Sequence, residues 1–346
     1  MAKILVIRLS AIGDVALTIP VLYSVARAYP DDSFTILTQI FLLPVFINRP
    51  ANLDVIGINT KGPERSTRGF LRFARAYSRY DFDMVIDLHR VIRTRIISLL
   101  FRLAGKKVYG MNKARCERRR LVSQRFKVLQ PLRPVTERYA DVFRRAGFDF
   151  GMSFRSLFDS KPAENIFVDM FPAAKRIGIA PFAKHPGKVY PPDKMEAVIA
   201  GLSRREQVGL YLFGSRGSEQ KKLEEWAARY PRTCSVAGKY SLDNELRLIS
   251  NLDVLLCMDS ANMHFASLVE TPIVSVWGAT HPFAGFYPYR RDFSRAVQLE
   301  LPCRPCSIYG SKPCRRKDFA CMTLLPPSKI IAMVEEELFP ELDCKD

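Results

Sequence analysis

Three short segments place chemistry-bearing residues beside turns. Ser10-Ala11-Ile12-Gly13-Asp14 follows one apolar run and opens another with helical spacing. A small, glycine-bearing turn at a helix start presents backbone N–H groups, which attract anions. Asp14 adds a carboxylate that can accept a proton or simply cap the first helical turn. The turn lacks the three-glycine spacing of a dinucleotide fingerprint. In the second segment, Cys257-Met258-Asp259-Ser260-Ala261-Asn262-Met263-His264, Asp259 and Ser260 can cap a helix whose N–H groups would cradle a diphosphate. His264, one turn in, either reaches the same place or is a core residue. The third segment, Pro181 to Pro191, carries Gly187-Lys188, a phosphate clamp or an ordinary surface lysine. It has neither the Walker spacing nor a Ser/Thr after the lysine, which disfavours a metal-bound triphosphate.

Cysteine offers a fourth possibility. Cys303, Cys306, Cys314 and Cys321 lie within nineteen residues. Four thiolates can hold a structural Zn²⁺, with their charge offset by Arg304, Lys312, Arg315 and Arg316; the other reading is reduced, buried thiols. Four cysteines leave a metal no open position, so no metal is expected in catalysis.

The elements that must position these residues alternate. Ile4 to Leu9 reads as a strand and Ala16 to Tyr29 as a helix, with further strands at Ser33 to Thr38 and Met84 to Leu88. The pattern restarts after about residue 170. Strands are expected at Arg176 to Ala180, Val208 to Phe213, Val254 to Met258 and Pro272 to Trp277. Helices are expected at Pro192 to Ser203, Glu219 to Tyr230, Leu242 to Ser250, Met263 to Val269 and Lys329 to Leu338. Strands that alternate with helices and are apolar on both faces indicate doubly wound parallel sheets. We therefore expect two α/β domains, at 1–165 and 166–346, linked through Asp159 to Pro172, with the last helix packing back on the first domain.

Charge divides the chain unevenly. Residues 1–160 hold 28 Lys and Arg against 13 Asp and Glu, whereas residues 161–346 hold 25 against 22. The first half should therefore meet an anionic partner. Arg90, Arg93 and Arg95, and the cluster Arg115, Arg118, Arg119 and Arg120, are the candidates. No nucleic-acid motif accompanies them, so none is expected as a partner. Arg8 and Asp14 interrupt what a signal peptide needs; of the two long uncharged runs, Ser33 to Asn48 is too short to span a bilayer and Thr271 to Tyr289 is cut by Pro272, Gly278, Pro282 and Gly285, so a cytoplasmic location is expected.

In order, KILVIRLSAIGDVALTIPVL, VIDLHRVIRTRIISLLFRLAGKKVYGMNK and VLLCMDSANMHFASLVETPIVSVWGATHP resemble the signatures of glycosyltransferase family 9, the ADP-heptose:lipopolysaccharide heptosyltransferases. The resemblance covers nearly the whole chain. It implies a GT-B fold, two Rossmann-like domains facing a cleft. It also implies an inverting transfer of a heptose-like sugar from an ADP-sugar to a lipopolysaccharide core or related anionic glycan, with peripheral contact at the inner leaflet of the cytoplasmic membrane. By resemblance Asp14 is the general base, with Ser10, Gly13, Arg93 and Arg120 on the acceptor side. Lys188, Ser215, Glu219, Asp259, Ser260, Ala261, Asn262, Met263 and His264 would hold the donor, with no divalent metal needed. Two departures stand out: Ser260-Ala261-Asn262 replaces the common Thr-Gly-Pro, and His281 stands where Asp is usual. A glycan- or membrane-binding module and a nucleotide-dependent oxidoreductase are the competing functions.

Overall fold

The computed structural model describes residues 1–78, 81–159 and 175–340. In chain order the first elements are β1 (Lys3–Ile7), α1 (Ile12–Ala16), α2 (Ile19–Ala28), β2 (Ser33–Gln39), β3 (Leu53–Ile58), α3 (Thr67–Ser78), β4 (Met84–Asp87), α4 (Ile92–Leu103), β5 (Lys107–Gly110), α5 (Arg115–Leu121) and α6 (Val135–Arg145). The remainder are β6 (Lys175–Ala180), α7 (Pro192–Ser203), β7 (Val208–Leu212), α8 (Ser218–Arg229), β8 (Thr233–Ser235), α9 (Leu242–Ser250), β9 (Val254–Met258), α10 (Ala261–Leu268), β10 (Ile273–Val276), β11 (Ala296–Val297), α11 (Ala320–Thr323) and α12 (Pro327–Leu338).

These elements form two compact units. One comprises residues 1–113 and 133–157, the other residues 114–132 and 158–346. Each unit is built on one parallel sheet, in the order β3-β2-β1-β4-β5 and β11-β10-β9-β6-β7-β8. Both follow the doubly wound pattern, in which the chain returns to the middle of the sheet and winds outward the other way. Of the expected linker, residues 160–172 lie outside the described residues.

Sequence accounts for most of this locally. The run Ile4 to Ile7 is buried on both sides. Leu5 and Ile7 pack with Phe70 and Ala74 of α3 and with Ile97 and Phe101 of α4. On the opposite face Phe34 meets Phe143 of α6, ring centroids 6.5 Å apart. Each such fully buried side chain contributes about 1.5–3 kcal/mol. The helix expected from Ala16 to Tyr29 is α2, which begins at Ile19, and the turn expected before it holds a separate short helix, α1. Thr18 Oγ1 donates to the Val15 carbonyl at 2.6 Å, and Pro20, which has no N–H, sits in the first turn of α2.

Two expectations about organisation meet a different arrangement. Segment 114–132 is part of the second unit, where Lys127 Nζ donates to the Pro302 and Arg304 carbonyls at 2.7 Å each. The final helix α12 is also committed to its own unit. Its Ile330, Val334 and Leu338 join the core of β6, β7, β9 and β10, because this apolar stripe matches the sheet face beside α7.

Candidate functional site

In an open parallel sheet, ligands gather beyond the carboxyl ends of the strands where the winding reverses. In the first unit that point lies between β1 and β4, which pair in parallel with Ile7 opposite Asp87. The loops leaving these strands carry Arg8 to Asp14 and Leu88 to Val91. Arg8 is buried and donates Nη1 to the Leu88 carbonyl at 2.7 Å, tying the two loops together. Its Nη2 pairs with Asp14 Oδ2 at 2.7 Å, and its guanidinium lies 5.7 Å from the ring centroid of Tyr139. The Ala11 N–H donates to the same Asp14 oxygen at 3.2 Å. Both contacts therefore fall on Oδ2, and Oδ1 accepts no hydrogen bond among the described residues. Asp14 is thus a cap and a partly exposed carboxylate with one oxygen free to act.

His89 completes this cluster. Its Nε2 lies 3.4 Å from Ser10 Oγ, and its Nδ1 is buried with no hydrogen-bond partner. Burial, then the charges of Arg8 and Lys113, pull its pKa down to about 3, so the ring is neutral at physiological pH. The sequence reading passed over His89. The available signal was its place immediately after a strand at the reversal point. Asp87 builds the turn beneath it, accepting from the N–H groups of His89 and Arg90 at 3.0 and 2.7 Å and from Thr94 Oγ1 at 2.9 Å.

The second unit reverses between β6 and β9, where Ala180 lies opposite Cys257. There Lys188 Nζ pairs with Asp259 Oδ2 at 2.8 Å, and both side chains are largely buried. The turn holding Lys188 is pinned on both sides: the Gly187 N–H donates to the Gly310 carbonyl at 3.3 Å, and its carbonyl accepts from Ala279 at 2.8 Å. Gly310 has φ +73°, and a Cβ there would come within 2.6 Å of Lys188 Cγ, so glycine is required for both conformation and space.

Asp259 leads into α10. Ser260 is its N-cap residue, yet the hydroxyl makes no cap bond and is buried without a partner. A helix start leaves its first N–H groups without intrahelical acceptors. Ala261 and Asn262 sit in this first turn, partly exposed. Met263 is fully buried and His264 is 6 % exposed, so both side chains pack in the interior. Only the backbone of Met263 is available to a ligand. Ser215 lies in the loop after β7 and Glu219 in the first turn of α8, where Glu219 Oε2 accepts from both the N–H and the hydroxyl of Ser215 at 2.7 Å. His281 Nδ1 accepts from the Phe283 N–H at 3.1 Å, and burial, with Arg304 and Lys127, lowers its pKa to about 4.

The arginines divide by role. Arg118 is buried, donates to Tyr309 Oη at 2.8 Å and lies 4.7 Å from the Phe286 ring centroid, so it holds structure and is withdrawn from the expected anion-binding cluster. Arg90 donates to the Met111 carbonyl at 3.0 Å. Arg93 is exposed, with one nitrogen 3.2 Å from the Arg65 carbonyl. Arg120 is exposed.

Cys303, Cys306, Cys314 and Cys321 are free thiols. Among the described residues no group of three or more His, Cys, Asp or Glu side chains is placed to hold a metal ion. Burial raises the pKa of Cys306 and carries that of Cys321 to about 11. Two of the basic residues expected to offset thiolates, Arg304 and Arg316, are engaged elsewhere. Buried Arg304 donates to the carbonyls of Gly278, Leu299 and Thr280 and to Gln298, while Arg316 pairs with Asp318 at 3.0 Å.

Comparison with known proteins converges on one group. The family model of glycosyltransferase family 9 (heptosyltransferase) matches residues 70–314. Lipopolysaccharide heptosyltransferase 3 of Escherichia coli (strain K12) is 24% identical over 354 residues, covering 95% of this chain and 96% of that protein. A glycosyltransferase family 9 structure from Veillonella parvula superposes with a TM-score of 0.74 at 18% identity, covering 98% of each chain. The E. coli ADP-heptose lipopolysaccharide heptosyltransferase II structure gives 0.71 at 18% identity, covering 98% of this chain and 99% of the other. Their shared architecture is the GT-B arrangement of two parallel-sheet α/β domains.

Proposed function

Since the chain belongs to glycosyltransferase family 9, the heptosyltransferases, we propose that it transfers a heptose-like sugar from an ADP-sugar to a lipopolysaccharide core or related anionic surface glycan. The full-length relatives named for lipopolysaccharide heptosyltransfer support the substrate class. The observation that carries the donor assignment is the Lys188–Asp259 pair at 2.8 Å beside the start of α10, with the unpartnered Ser260 hydroxyl next to it. A diphosphate seated there meets one ammonium group and the positive end of a helix. Ser260 and the backbone of Ala261, Asn262 and Met263 bind its oxygens. His264 sits one turn behind them as packing, and Ser215 and Glu219 face the nucleoside.

In this reading Asp14 is the general base. Its Oδ1 takes the proton of the acceptor hydroxyl as that oxygen attacks the anomeric carbon. The bond from that carbon to the diphosphate breaks with inversion, and the electron pair leaves on the diphosphate, whose charge Lys188 and the helix start stabilise. Ser10, Gly13, Arg93 and Arg120 contact the anionic acceptor. Guanidinium groups suit its phosphates and carboxylates because they donate two parallel hydrogen bonds. The metal-free route rests on this built-in positive charge. A cytoplasmic enzyme working at the inner leaflet is consistent with the described helices, none of which is long and apolar enough to cross a membrane.

Thermal shift with ADP, UDP, GDP and NAD tests the donor assignment. ADP alone should raise Tm at millimolar concentration, and Lys188→Ala should abolish that rise. Equal stabilisation by UDP, or an undiminished ADP shift in the variant, overturns it.

A further inference from the structure

Helix α4 has two unlike faces. Thr94, Ile97, Ser98 and Phe101 are buried, with Ile97 and Phe101 in the core beneath the first sheet. The opposite face, at the same helical spacing, exposes Ile92, Arg95, Leu99, Arg102 and Leu103, with Ile96 at its edge packed against the core. Ile92 is 79% exposed, Leu99 53% and Leu103 76%. A face that only meets water should be polar. Helix α8 behaves that way, presenting Lys221, Glu224 and Glu225 while burying Leu223 and Trp226. The aliphatic residues of α4 line up along a 12-residue helix, which makes a contiguous stripe that normally marks a contact surface.

The surrounding charge states what the stripe meets. From residue 88 to 113 there are seven Lys and Arg and no Asp or Glu. The neighbouring helix α3, packed beside α4, adds exposed Arg68 and Arg72, and residues 65–78 likewise contain no acidic residue. Arg68, Arg72, Arg95 and Arg102 make no ion pair among the described residues. Aliphatic side chains flanked by unpaired guanidiniums are the chemistry of a helix lying in the interface of an anionic bilayer. The apolar groups enter the acyl boundary, while the arginines extend to the headgroup phosphates.

We propose that the outer face of α4, with the arginines of α3, docks the protein on an anionic lipid surface through Ile92, Leu99, Leu103, Arg95 and Arg102. This gives a physical location to the membrane contact suggested for the proposed function. It rests on that reading only in supposing that the acceptor is held in a membrane.

The test is co-sedimentation of the full chain with vesicles of phosphatidylcholine alone and of phosphatidylcholine with about 30% phosphatidylglycerol, at low and high salt. The wild type should bind the anionic vesicles and release in high salt. The triple variant Ile92→Gln/Leu99→Gln/Leu103→Gln should bind at least about tenfold more weakly. Arg95→Gln/Arg102→Gln should lose about 30-fold and show a weaker salt dependence. Leu324→Gln, an exposed leucine of the other unit, should bind as the wild type does. These positions are solvent-facing, and the arginine pair reads the same surface without touching the apolar stripe, so a folding defect in one variant leaves the other informative. Failure of the wild type to bind anionic vesicles, or binding by both variants as tight as that of the wild type, overturns the proposal. So does a concentration-dependent dimer broken by the triple variant in the absence of vesicle binding, which would assign the face to a second copy of the chain. Transfer to a delipidated acceptor separates the two readings: variants that lose vesicle binding should keep it, and its absence in every form, wild type included, would count against the transferase substrate assignment alone.

Discussion

The two reversal points of this protein are built alike and charged differently. In the first unit Arg8 and Asp14 pair at 2.7 Å, and in the second Lys188 and Asp259 pair at 2.8 Å. The cation of the first pair is locked: Arg8 also donates to the Leu88 carbonyl, so the arginine belongs to the scaffold and the carboxylate is the group left to react. In the second the carboxylate is the more buried partner, and the lysine, on a flexible stem, is the group able to turn towards an anion. A neutral histidine sits beside the first pair and an unpartnered serine beside the second. In the proposed mechanism the same topological position supplies a proton acceptor in one unit and a charge stabiliser in the other.

Breaking the first pair should affect chemistry. Asp14→Asn keeps the shape and removes the proposed base, so turnover should fall by at least about 10²-fold while the ADP-induced thermal shift stays unchanged. Steady-state kinetics beside thermal shift distinguish this outcome from a binding defect, and unaltered turnover would remove Asp14 from the role.

His89 sharpens the contrast through pH. Its folded pKa, about 3, lies below its ordinary 6.5, so folding favours the neutral ring. The associated stability is present above pH 6.5 and is lost as pH falls from there towards 3. Denaturant titration should show the wild type losing on the order of 2 kcal/mol more than His89→Gln across that window, allowing for the solvent that reaches a partly exposed ring. Parallel curves for the two proteins would show that the ring carries no such bias.

The smallest effect expected is a rescue in the second unit. Lys188→Ala leaves Asp259 buried without its cation, and adding Asp259→Asn removes that charge. The double variant should regain about 1 kcal/mol of stability over the single one, yet recover none of the ADP affinity. Recovery of ADP binding would mean that Lys188 serves only to neutralise Asp259, and the functional contrast between the pairs would collapse.

Legibility differed by type of feature. The strand β9 and the helices α7 and α9 match their sequence-derived boundaries residue for residue, because each is a continuous apolar run or a helical repeat with its own stop signals. The strands β3, β5, β8 and β11 were not readable. β5, Lys107–Gly110, is held by pairing with β4, a long-range contribution that four residues of sequence do not announce. Asp14, Lys188, Asp259 and Ser260 were legible because turns at helix starts have a composition of their own. Their pairing partners were not. Nothing local connects Arg8 to Leu88, or Lys188 to Asp259 seventy-one residues away.

Sequence by itself therefore determined the alternating α/β grammar, the turns that carry chemistry, the uneven charge and the family. Those properties depend on side-chain type and on spacing along a single element. Tertiary structure decided which charges are free. Sheet order set β1 beside β4 and β6 beside β9, which brought His89 to Ser10, while packing of the loops turned Arg118 and Arg304 into internal braces and left Asp14 Oδ1 and the arginines Arg95 and Arg102 available. An arginine reads the same in sequence whether its guanidinium meets a carbonyl, a ring or water, and only the folded neighbours make that choice.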